Sequence, residues 1–204
     1  MTSIALIGAT GNIGSRILDE ALSRGHRVTG TTRDAAKLPP RPDLTPKVVN
    51  TADVGAVAAV LGGHDVAITS IRWNDADVHQ VLDAVRRSGV PRALFVIGAG
   101  SLIRSDGRTH FEHMAEKGIQ PPTSKPAALA YEAIRAADDL NWTAISPPAT
   151  IQAGQRTGKF RLGLDQLLED DQGVSLISRE DFAIAILDEV ERPRHAKRRF
   201  TAAY

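Results

Sequence analysis

The most constraining feature of the sequence is a run of three evenly spaced glycines, Gly8, Gly11 and Gly14, directly after the apolar residues 4–7. From residue 12 to residue 24 the apolar side chains recur at helical spacing, so the glycines lie between a predicted strand and a predicted amphipathic helix. The start of such a helix presents free N–H groups and a partial positive charge. The segment therefore predicts a turn that can bind an anion.

Each glycine of this turn has its own expected role in binding a dinucleotide. Gly8 permits a tight turn, Gly11 lets backbone amides approach a pyrophosphate, and Gly14 lets the helix pack closely on the sheet. The other residues expected in the same site are Thr10, Asn12 and Ile13. An ordinary strand-to-helix turn is the alternative, but the strand before it and the helix after it favour the dinucleotide.

Short β-rich runs alternate with longer helical segments along the rest of the chain. Further strands are predicted at residues 27–32, 47–50, 66–69, 92–97, 142–146, 173–177 and 199–203, the last of them at a sheet edge. Further helices are predicted at residues 54–61, 76–88 and 125–140, and from residue 178 onwards. This alternation is typical of a three-layer α/β/α Rossmann fold with a mostly parallel, doubly wound sheet.

The length of 204 residues suits a single domain over residues 1–204. Residues 38–46 contain four prolines and predict a loop. Residues 98–124 are rich in glycine and polar residues and show neither the strand nor the helix period, and they predict a lid or an active-site loop. Residues 152–171 predict a small irregular region on the substrate side.

The residues that end the second predicted strand bear on the choice between NADP(H) and NAD(H). An acidic residue at this place bonds the ribose 2′-hydroxyl of NAD, whereas a cation pairs with the 2′-phosphate of NADP. Arg33 favours NADP(H), with Thr32 as a further donor, while the adjacent Asp34 fits NAD(H). A solvated arginine and a turn aspartate are the alternative. We expect NADP(H) and leave NAD(H) open.

Further candidate residues follow the predicted strands at the carboxyl edge of the sheet, where nucleotide and substrate bind in this fold. Asp53 is expected at the adenine, with capping of the helix that starts at residue 54 as an equal alternative. The residues expected beside the nicotinamide and the substrate are Ser70, Ile71, Gly98 and Ser101. The alternative for these four is simply to turn the chain.

The expected chemistry depends on a catalytic tyrosine–lysine pair that the sequence lacks, as well as on the residues that it contains. Short-chain dehydrogenases use a tyrosine whose pKa is lowered by a lysine four residues later. Here Tyr131 is followed at that spacing by Arg135 instead of a lysine. Tyr131 is therefore a candidate acid, with packing against the sheet as the alternative. Ser101 is a candidate hydrogen-bond donor to the substrate. Hydride transfer to a flavin needs mainly stacking and orientation. The missing pair therefore favours a flavin or quinone-like acceptor, with FMN or riboflavin as possible substrates.

Three segments in the second half of the chain, together with the glycine turn, resemble a known family. They are residues 142–148 (WTAISPP), 154–161 (GQRTGKFR) and 178–183 (SREDFA). The chain is similar to the NAD(P)H-binding, NmrA-like family of atypical short-chain dehydrogenases/reductases that includes NADH-flavin reductases. The resemblance implies an oxidoreductase in which Gly8, Gly11, Gly14 and Arg33 hold the nucleotide and Ser101 lies near the nicotinamide.

Other functions stay open at this point. A non-catalytic NADP(H)-binding redox sensor or regulator of NmrA-like type also needs no acid/base pair. A sugar-nucleotide epimerase is disfavoured by the missing pair and by a length that leaves little for a substrate domain. Residues 102–126 match no pattern of the resembled family, so the substrate contacts are unassigned.

Charge and composition limit the partners that we expect. Lys and Arg number 25 against 24 Asp and Glu, a net charge of +1, which disfavours nucleic acid and membrane surfaces as partners. There is no cysteine, and His110 and His113 lack an identified third ligand, so we expect no metal site. No apolar run approaches the roughly 20 residues of a membrane-spanning helix, and no export signal is seen. We expect a cytoplasmic monomer or weak homodimer that acts on a small molecule.

Two basic segments receive less specific predictions. Residues 154–159 have a glycine spacing too short for an NTPase phosphate loop, and they predict a solvated hairpin from which Arg156 or Lys159 could help to close the pocket. Residues 192–199 contain five basic residues and predict a solvated turn before the last strand.

Overall fold

The computed structural model describes all 204 residues and is built around an eight-stranded sheet. The strands are β1 (Ser3–Ile7), β2 (Arg27–Thr32), β3 (Leu44–Val48), β4 (Val66–Thr69), β5 (Ala93–Val96), β6 (Trp142–Ser146), β7 (Thr150–Gln152), β8 (Arg161–Gly163), β9 (Leu176–Ser178) and β10 (Arg198–Ala203). Their order in the sheet is β3-β2-β1-β4-β5-β6-β10-β8, and only the β10–β8 pairing is antiparallel. Strands β7 and β9 form a separate parallel pair.

Helices cover both faces of the sheet. They are α1 (Gly14–Ser23), α2 (Val54–Leu61), α3 (Val78–Ser88), α4 (His110–Glu116), α5 (Ser124–Arg135) and α6 (Arg179–Glu191). Helices α1 and α6 enclose one core with the sheet, and α2, α3 and α5 enclose the other. None of the helices combines the length and the apolar composition needed to cross a membrane. The predicted α/β/α fold with a mostly parallel, doubly wound sheet is confirmed.

The two cores explain why β4, β5 and β6 are buried over their whole length. In β1, Ile4 and Leu6 belong to the core under α1 and α6, whereas Ala5 and Ile7 belong to the core on the other face. Successive side chains of a strand point to opposite faces, so a strand covered on both sides buries every residue. Each fully buried Ile or Leu contributes about 1.5–3 kcal/mol relative to its exposed state.

The order of the strands reverses between β1 and β4. The chain runs outward from β1 through β2 to β3 and then crosses back, so that β4 pairs with the free side of β1. In parallel sheets of this kind, ligands bind in the crevice outside the carboxyl ends of the strands at the reversal. The glycine turn after β1 and the residues after β4 lie on this crevice.

Three strands differ clearly from their prediction. Strand β9 spans Leu176–Ser178 rather than residues 173–177, and it pairs with β7 outside the main sheet. Strand β3 begins at Leu44 rather than at residue 47, and it includes Pro46. It is an edge strand that pairs only with β2, and an edge strand tolerates a proline because the missing N–H can face away from the ladder. Strand β10 was predicted as the edge, but it lies between β6 and β8 because the short strand β8 adds to its other side.

The segment predicted as an irregular lid contains the helix α4. Its N-cap, Thr109, accepts a hydrogen bond from the backbone N–H of Glu112 at 3.1 Å, and the Glu112 carboxylate accepts one from the backbone N–H of Thr109 at 2.8 Å. This is a reciprocal capping box, and it satisfies two backbone donors that would otherwise lack partners. The helix spans only seven residues, which is too short for periodicity to reveal it.

Candidate functional site

The glycine turn is formed by two close backbone approaches. Gly8 has a φ of +85°, in the left-handed region, and a Cβ atom there would overlap the carbonyl oxygen of Ser70. A Cβ atom on Gly14 would overlap the carbonyl oxygen of Gly8. Backbone hydrogen bonds fix the turn further, from Ala9 N–H to the carbonyl of Thr31 at 3.2 Å and from Gly11 N–H to the carbonyl of Gly8 at 3.0 Å. Glycine is thus required at positions 8 and 14 by geometry.

The turn leaves four backbone amides without an acceptor in the protein, those of Thr10, Asn12, Ile13 and Gly14. Helix α1 starts at Gly14, has no side-chain N-cap and has no acidic residue in its first turn. The positive end of the helix dipole is therefore not offset by a carboxylate there. Thr10 and Asn12 are exposed, Ile13 is half-buried and Gly14 is buried, so these donors are accessible at the edge of the crevice. A helix N-terminus with free amides suits a phosphate.

Three side chains lie at the end of β2. Two of them, Thr32 and Asp34, form hydrogen bonds within the protein, and the third, Arg33, does not. The Thr32 hydroxyl donates to the carbonyl of Asp34 at 2.9 Å, and the Asp34 carboxylate accepts from the backbone N–H of Ala36 at 3.0 Å. Asp34 thereby caps the short 3₁₀ turn at Ala35–Lys37. Arg33 is exposed and makes no ion pair or side-chain hydrogen bond. Of the three, the arginine is the side chain available to a ligand.

Asp53 caps helix α2, which was one of its two predicted roles. Its carboxylate accepts a hydrogen bond from the backbone N–H of Ala56 at 2.9 Å, and the side chain is exposed. One carboxylate oxygen is used in this way. The second oxygen makes no hydrogen bond within the protein.

The residues after β4 and β5 form the floor of the crevice. The backbone N–H of Ser70 donates to the carbonyl of Ile7 at 2.9 Å, and Ser70 is buried while Ile71 is half-buried. After β5, a Cβ atom on Gly98 would lie 3.0 Å from the Cβ of Ala127 in α5. The glycine therefore lets the chain pass close to α5 before the 3₁₀ turn that ends at Ser101.

Ser101 and Tyr131, the two predicted catalytic residues, contact the same buried arginine. Arg199 of β10 donates to the Ser101 hydroxyl oxygen at 2.7 Å and to the Ser101 carbonyl at 3.2 Å. Its Cζ lies 4.3 Å from the centre of the Tyr131 ring, in a cation–π contact. Two further donors of the guanidinium bond a single oxygen of Asp165, at 2.9 and 2.7 Å.

Tyr131 differs from the tyrosine of a typical short-chain dehydrogenase. Burial of its phenol raises the pKa, and the nearby Arg199 only partly opposes this. The hydroxyl makes no hydrogen bond within the protein, and Arg135, at the position where a lysine would stand, pairs with Glu132 at 2.5 Å. At neutral pH the phenol therefore stays protonated.

Sequence analysis missed Arg199, which it placed at the end of a solvated basic turn. The side chain is buried, because β10 is an inner strand and Arg199 points towards α5. The alternation of side chains along β10 gave only part of the signal for this burial. Arg199, Thr201 and Ala203 lie on one face of the strand, while Phe200 and Ala202 pack in the core on the other face.

The segment 154–159 is held tightly by acids of α1 and α6. Arg156 forms two hydrogen bonds at 2.8 Å with the buried Glu20. The fully buried Asp181 accepts from the backbone N–H groups of Thr157 and Gly158 at 2.7 and 2.8 Å. Arg156 is thus part of a structural ion pair, whereas Lys159 is exposed and forms no ion pair.

His110 and His113 lie on α4, and the Nδ1 atom of each is buried without a hydrogen-bond partner. Burial, followed by the charge of Arg104, lowers the pKa of His110. No group of three or more His, Cys, Asp or Glu side chains in the structure is arranged to hold a metal ion.

The sequence profile of the family described as NAD(P)H-binding matches residues 8–193. The chain is 32% identical to the uncharacterized protein YwnB of Bacillus subtilis over 214 residues, covering 97% of this chain and 96% of YwnB.

Two crystal structures show the same fold at moderate sequence identity. A Bacteroides thetaiotaomicron protein, named as a candidate epimerase, is 33% identical with a TM-score of 0.90, covering 100% of this chain and 97% of its own. A Streptococcus pneumoniae protein, named as a candidate NADH-flavin reductase, is 26% identical with a TM-score of 0.82, covering 100% and 99%. Because the family profile spans most of the sequence, including the glycine turn, the chain belongs to the NAD(P)H-binding family.

Proposed function

We propose that the protein is an NADPH-dependent reductase that passes hydride to a flavin or a quinone-like acceptor. The proposal depends on one combination at the carboxyl edge of the sheet. Four turn amides have no acceptor in the protein, and Tyr131, which contacts the same arginine as Ser101, has a raised pKa and no lysine among its charged neighbours. The amides suit a pyrophosphate, and the tyrosine is poorly suited to fast proton transfer.

The residues of the glycine turn fit the nucleotide by shape and by charge. The amides of Thr10, Asn12, Ile13 and Gly14 would donate to the pyrophosphate, next to the positive end of α1. A Cβ atom on Gly11 would meet only the carbonyl oxygens of Gly8 and Ser70, at 3.3 and 3.8 Å. Glycine at position 11 is thus needed mainly to keep the space above the amides open. Bound there, the cofactor supplies a hydride.

The preference for NADPH over NADH is proposed from the free cation after β2. Arg33 has no partner within the protein, while the Asp34 carboxylate already caps a turn. An arginine can bond a 2′-phosphate with two donors and a full opposite charge. One oxygen of Asp34 is already used for the capping bond, whereas every donor of the Arg33 guanidinium is free.

The acceptor is proposed from the chemistry that the site lacks. Reducing a ketone requires a proton at the developing alkoxide, and the raised pKa makes Tyr131 a weaker acid for that step. A flavin or quinone spreads the new charge over a ring, so orientation and hydrogen bonds suffice. The half-buried Ser101 hydroxyl can provide such a bond. The Streptococcus pneumoniae relative named as a candidate NADH-flavin reductase supports the same acceptor class.

The test uses purified protein, NADPH and three acceptors: FMN, riboflavin and menadione. Binding is measured first, by nicotinamide fluorescence, and oxidation is then followed at the nicotinamide absorption band. Rapid oxidation that saturates with one acceptor supports the proposal. A control without protein corrects for the direct reaction of NADPH with the acceptor.

Two other outcomes point to other functions. Tight NADPH binding without oxidation by any acceptor would indicate a redox sensor, whose partner affinity should then differ between NADPH and NADP⁺. Turnover of a sugar nucleotide without net NADPH consumption would match the epimerase name of the Bacteroides thetaiotaomicron relative. Either result would contradict the reductase.

A further inference from the structure

We propose that Arg199 is a positioning residue of the reductase, which orients the Ser101 hydroxyl so that its proton is available to the acceptor. The inference rests on the proposed function and extends it to a residue that is distant in sequence from the predicted site residues. Arg199 lies on β10, 98 residues from Ser101 in the sequence. It is buried, and it joins Ser101, Tyr131 and Asp165 in one cluster.

The hydrogen-bonding capacity of the two side chains fixes which of them donates. A guanidinium has five N–H donors and no acceptor, whereas a serine hydroxyl has one donor and two acceptor lone pairs. In the 2.7 Å bond between Arg199 Nη1 and Ser101 Oγ, the serine must therefore accept. Its proton is given to no atom of the protein, because Ser101 Oγ has no other partner. The half-buried hydroxyl is thus set to donate outward.

The geometry of Arg199 is itself fixed from three sides. Its Nε and Nη2 both donate to the same oxygen of Asp165, and Nη2 also donates to the Ser101 carbonyl. Its strand is paired on both sides, with β6 and with β8. The guanidinium also stacks on the Tyr131 ring. A donor that is held in advance needs little reorganisation when charge develops, which is the main source of electrostatic catalysis.

The consequence is a polarised donor next to the reacting centre. A hydrogen bond from a neighbouring cation draws electron density from the serine oxygen and makes its proton a better donor. When the acceptor gains hydride, negative charge grows on its carbonyl oxygens, and a Ser101 proton would stabilise that charge. Arg199 acts through Ser101 and does not itself have to touch the acceptor.

A purely structural role predicts a different pattern, and a double-mutant cycle separates the two. The variants are Arg199→Met, Ser101→Ala and the double variant, with Arg198→Met as the matched control because Arg198 is the exposed arginine next to it on β10. The readouts are kcat and KM for FMN, the NADPH dissociation constant, the thermal midpoint, and the carbonyl stretching bands of bound FMN by infrared difference spectroscopy.

We expect each single variant to lower kcat by about tenfold or more, as removal of a charge-assisted or oriented hydrogen bond does. In the Ser101→Ala background, Arg199→Met should then cost less than about threefold, because the pathway through Ser101 is already gone. The FMN carbonyl bands should shift back towards their free position in both single variants. NADPH binding and the Arg198→Met control should stay at the wild-type level.

Independent effects of the two substitutions, or carbonyl bands that do not move in Arg199→Met, would overturn the inference. If Arg199→Met does not fold, Arg199→Lys and Asp165→Asn take its place; a loss of kcat with unchanged NADPH affinity supports the inference, and wild-type kcat in both variants overturns it. A wild-type protein that binds NADPH but reduces no acceptor removes the proposed function, and this inference with it. An active wild type with an additive cycle removes this inference alone.

Discussion

Gly14 lies so close to Gly8 that a Cβ atom on Gly14 would overlap the carbonyl oxygen of Gly8. This contact lets α1 begin at Gly14 packed closely against the turn that follows β1, with its free amides at the crevice. The three glycines of the turn are therefore not equivalent. Gly8 and Gly14 are required by the fold, whereas Gly11 makes only a tight contact of 3.3 Å and is required by the space that a ligand needs.

A comparison of Gly14→Ala with Gly11→Ala tests this division. Gly14→Ala should lower the free energy of unfolding by about 1–3 kcal/mol, the usual cost of forcing extra volume into a packed position. Gly11→Ala should leave stability near wild type and weaken NADPH binding by about tenfold, since one tenfold step is 1.4 kcal/mol of lost contact. Urea unfolding and nicotinamide fluorescence measure the two effects. Equal loss of stability in both variants would refute the distinction.

Arg33→Gln should separate NADPH from NADH. Loss of a charge-assisted hydrogen bond to the 2′-phosphate should weaken NADPH binding by about 10- to 100-fold and leave NADH binding unchanged. The matched control is Arg27→Gln, because Arg27 is an exposed arginine at the opposite, amino-terminal end of β2. Dissociation constants for both nucleotides are measured at low and high salt. An unchanged ratio of the two constants would remove Arg33 from the site.

The parts of the fold that could be predicted are those whose signal is local. Strands β2, β4 and β6 and helix α2 have the predicted bounds. Strands β4 and β6 are mostly apolar because both sheet faces are covered there, and β2 is rich in threonine, which favours strands; turn residues or caps mark the ends of all four elements. The glycine turn is equally local, since the strand, the glycines and the helix are adjacent in sequence. Seven residues of α4 are too few for such a signal, and only its capping box could have indicated it.

The parts of the site that could not be predicted depend on contacts between distant segments. The basic residues near the carboxyl terminus look alike in sequence, and only the insertion of β10 between β6 and β8 buries Arg199 while Arg198 stays exposed. The pairing of Arg156 with Glu20 spans 136 residues in the same way. A sequence pattern with a short period does not report which of several arginines the topology will bury.

Asp181 should make the protein sensitive to acid. Burial opposes its ionisation, but hydrogen bonds from Thr157, Gly158 and Tyr204 outweigh this and lower the pKa of its carboxyl. A carboxyl whose pKa is lower in the folded state contributes stability above its unfolded pKa of about 3.9, and that stability is lost as the pH falls through the folded value. The contribution of Asp181 to the free energy of unfolding should therefore be constant near neutral pH and decrease below about pH 4.

The matched pair Asp181→Asn and Asp171→Asn tests this assignment. Asp171 is exposed and makes no hydrogen bond, so its substitution should leave the pH dependence unchanged. Asp181→Asn should be less stable at pH 7 and should show a flatter decline in acid, as measured by urea unfolding over a series of pH values. Amide exchange at residues 157 and 158 should also rise, because both amides donate to Asp181. Wild-type pH dependence in Asp181→Asn would contradict the prediction.

The capping box of α4 offers a comparison within one region of the chain. Thr109→Ala removes a side-chain cap that is made, and Thr123→Ala changes the N-cap of α5, which makes no side-chain hydrogen bond to its helix. Loss of a threonine cap costs about 1 kcal/mol, so Thr109→Ala should raise amide exchange in α4 by about fivefold. In Thr123→Ala, the opening free energy of α5, obtained from amide exchange, should change by less than half of the value for a lost cap. Since α4 packs on the 3₁₀ turn that contains Ser101, Thr109→Ala should also lower kcat for the acceptor while leaving NADPH binding unchanged. Equal exchange in the two threonine variants would mean that the capping box does not stabilise α4.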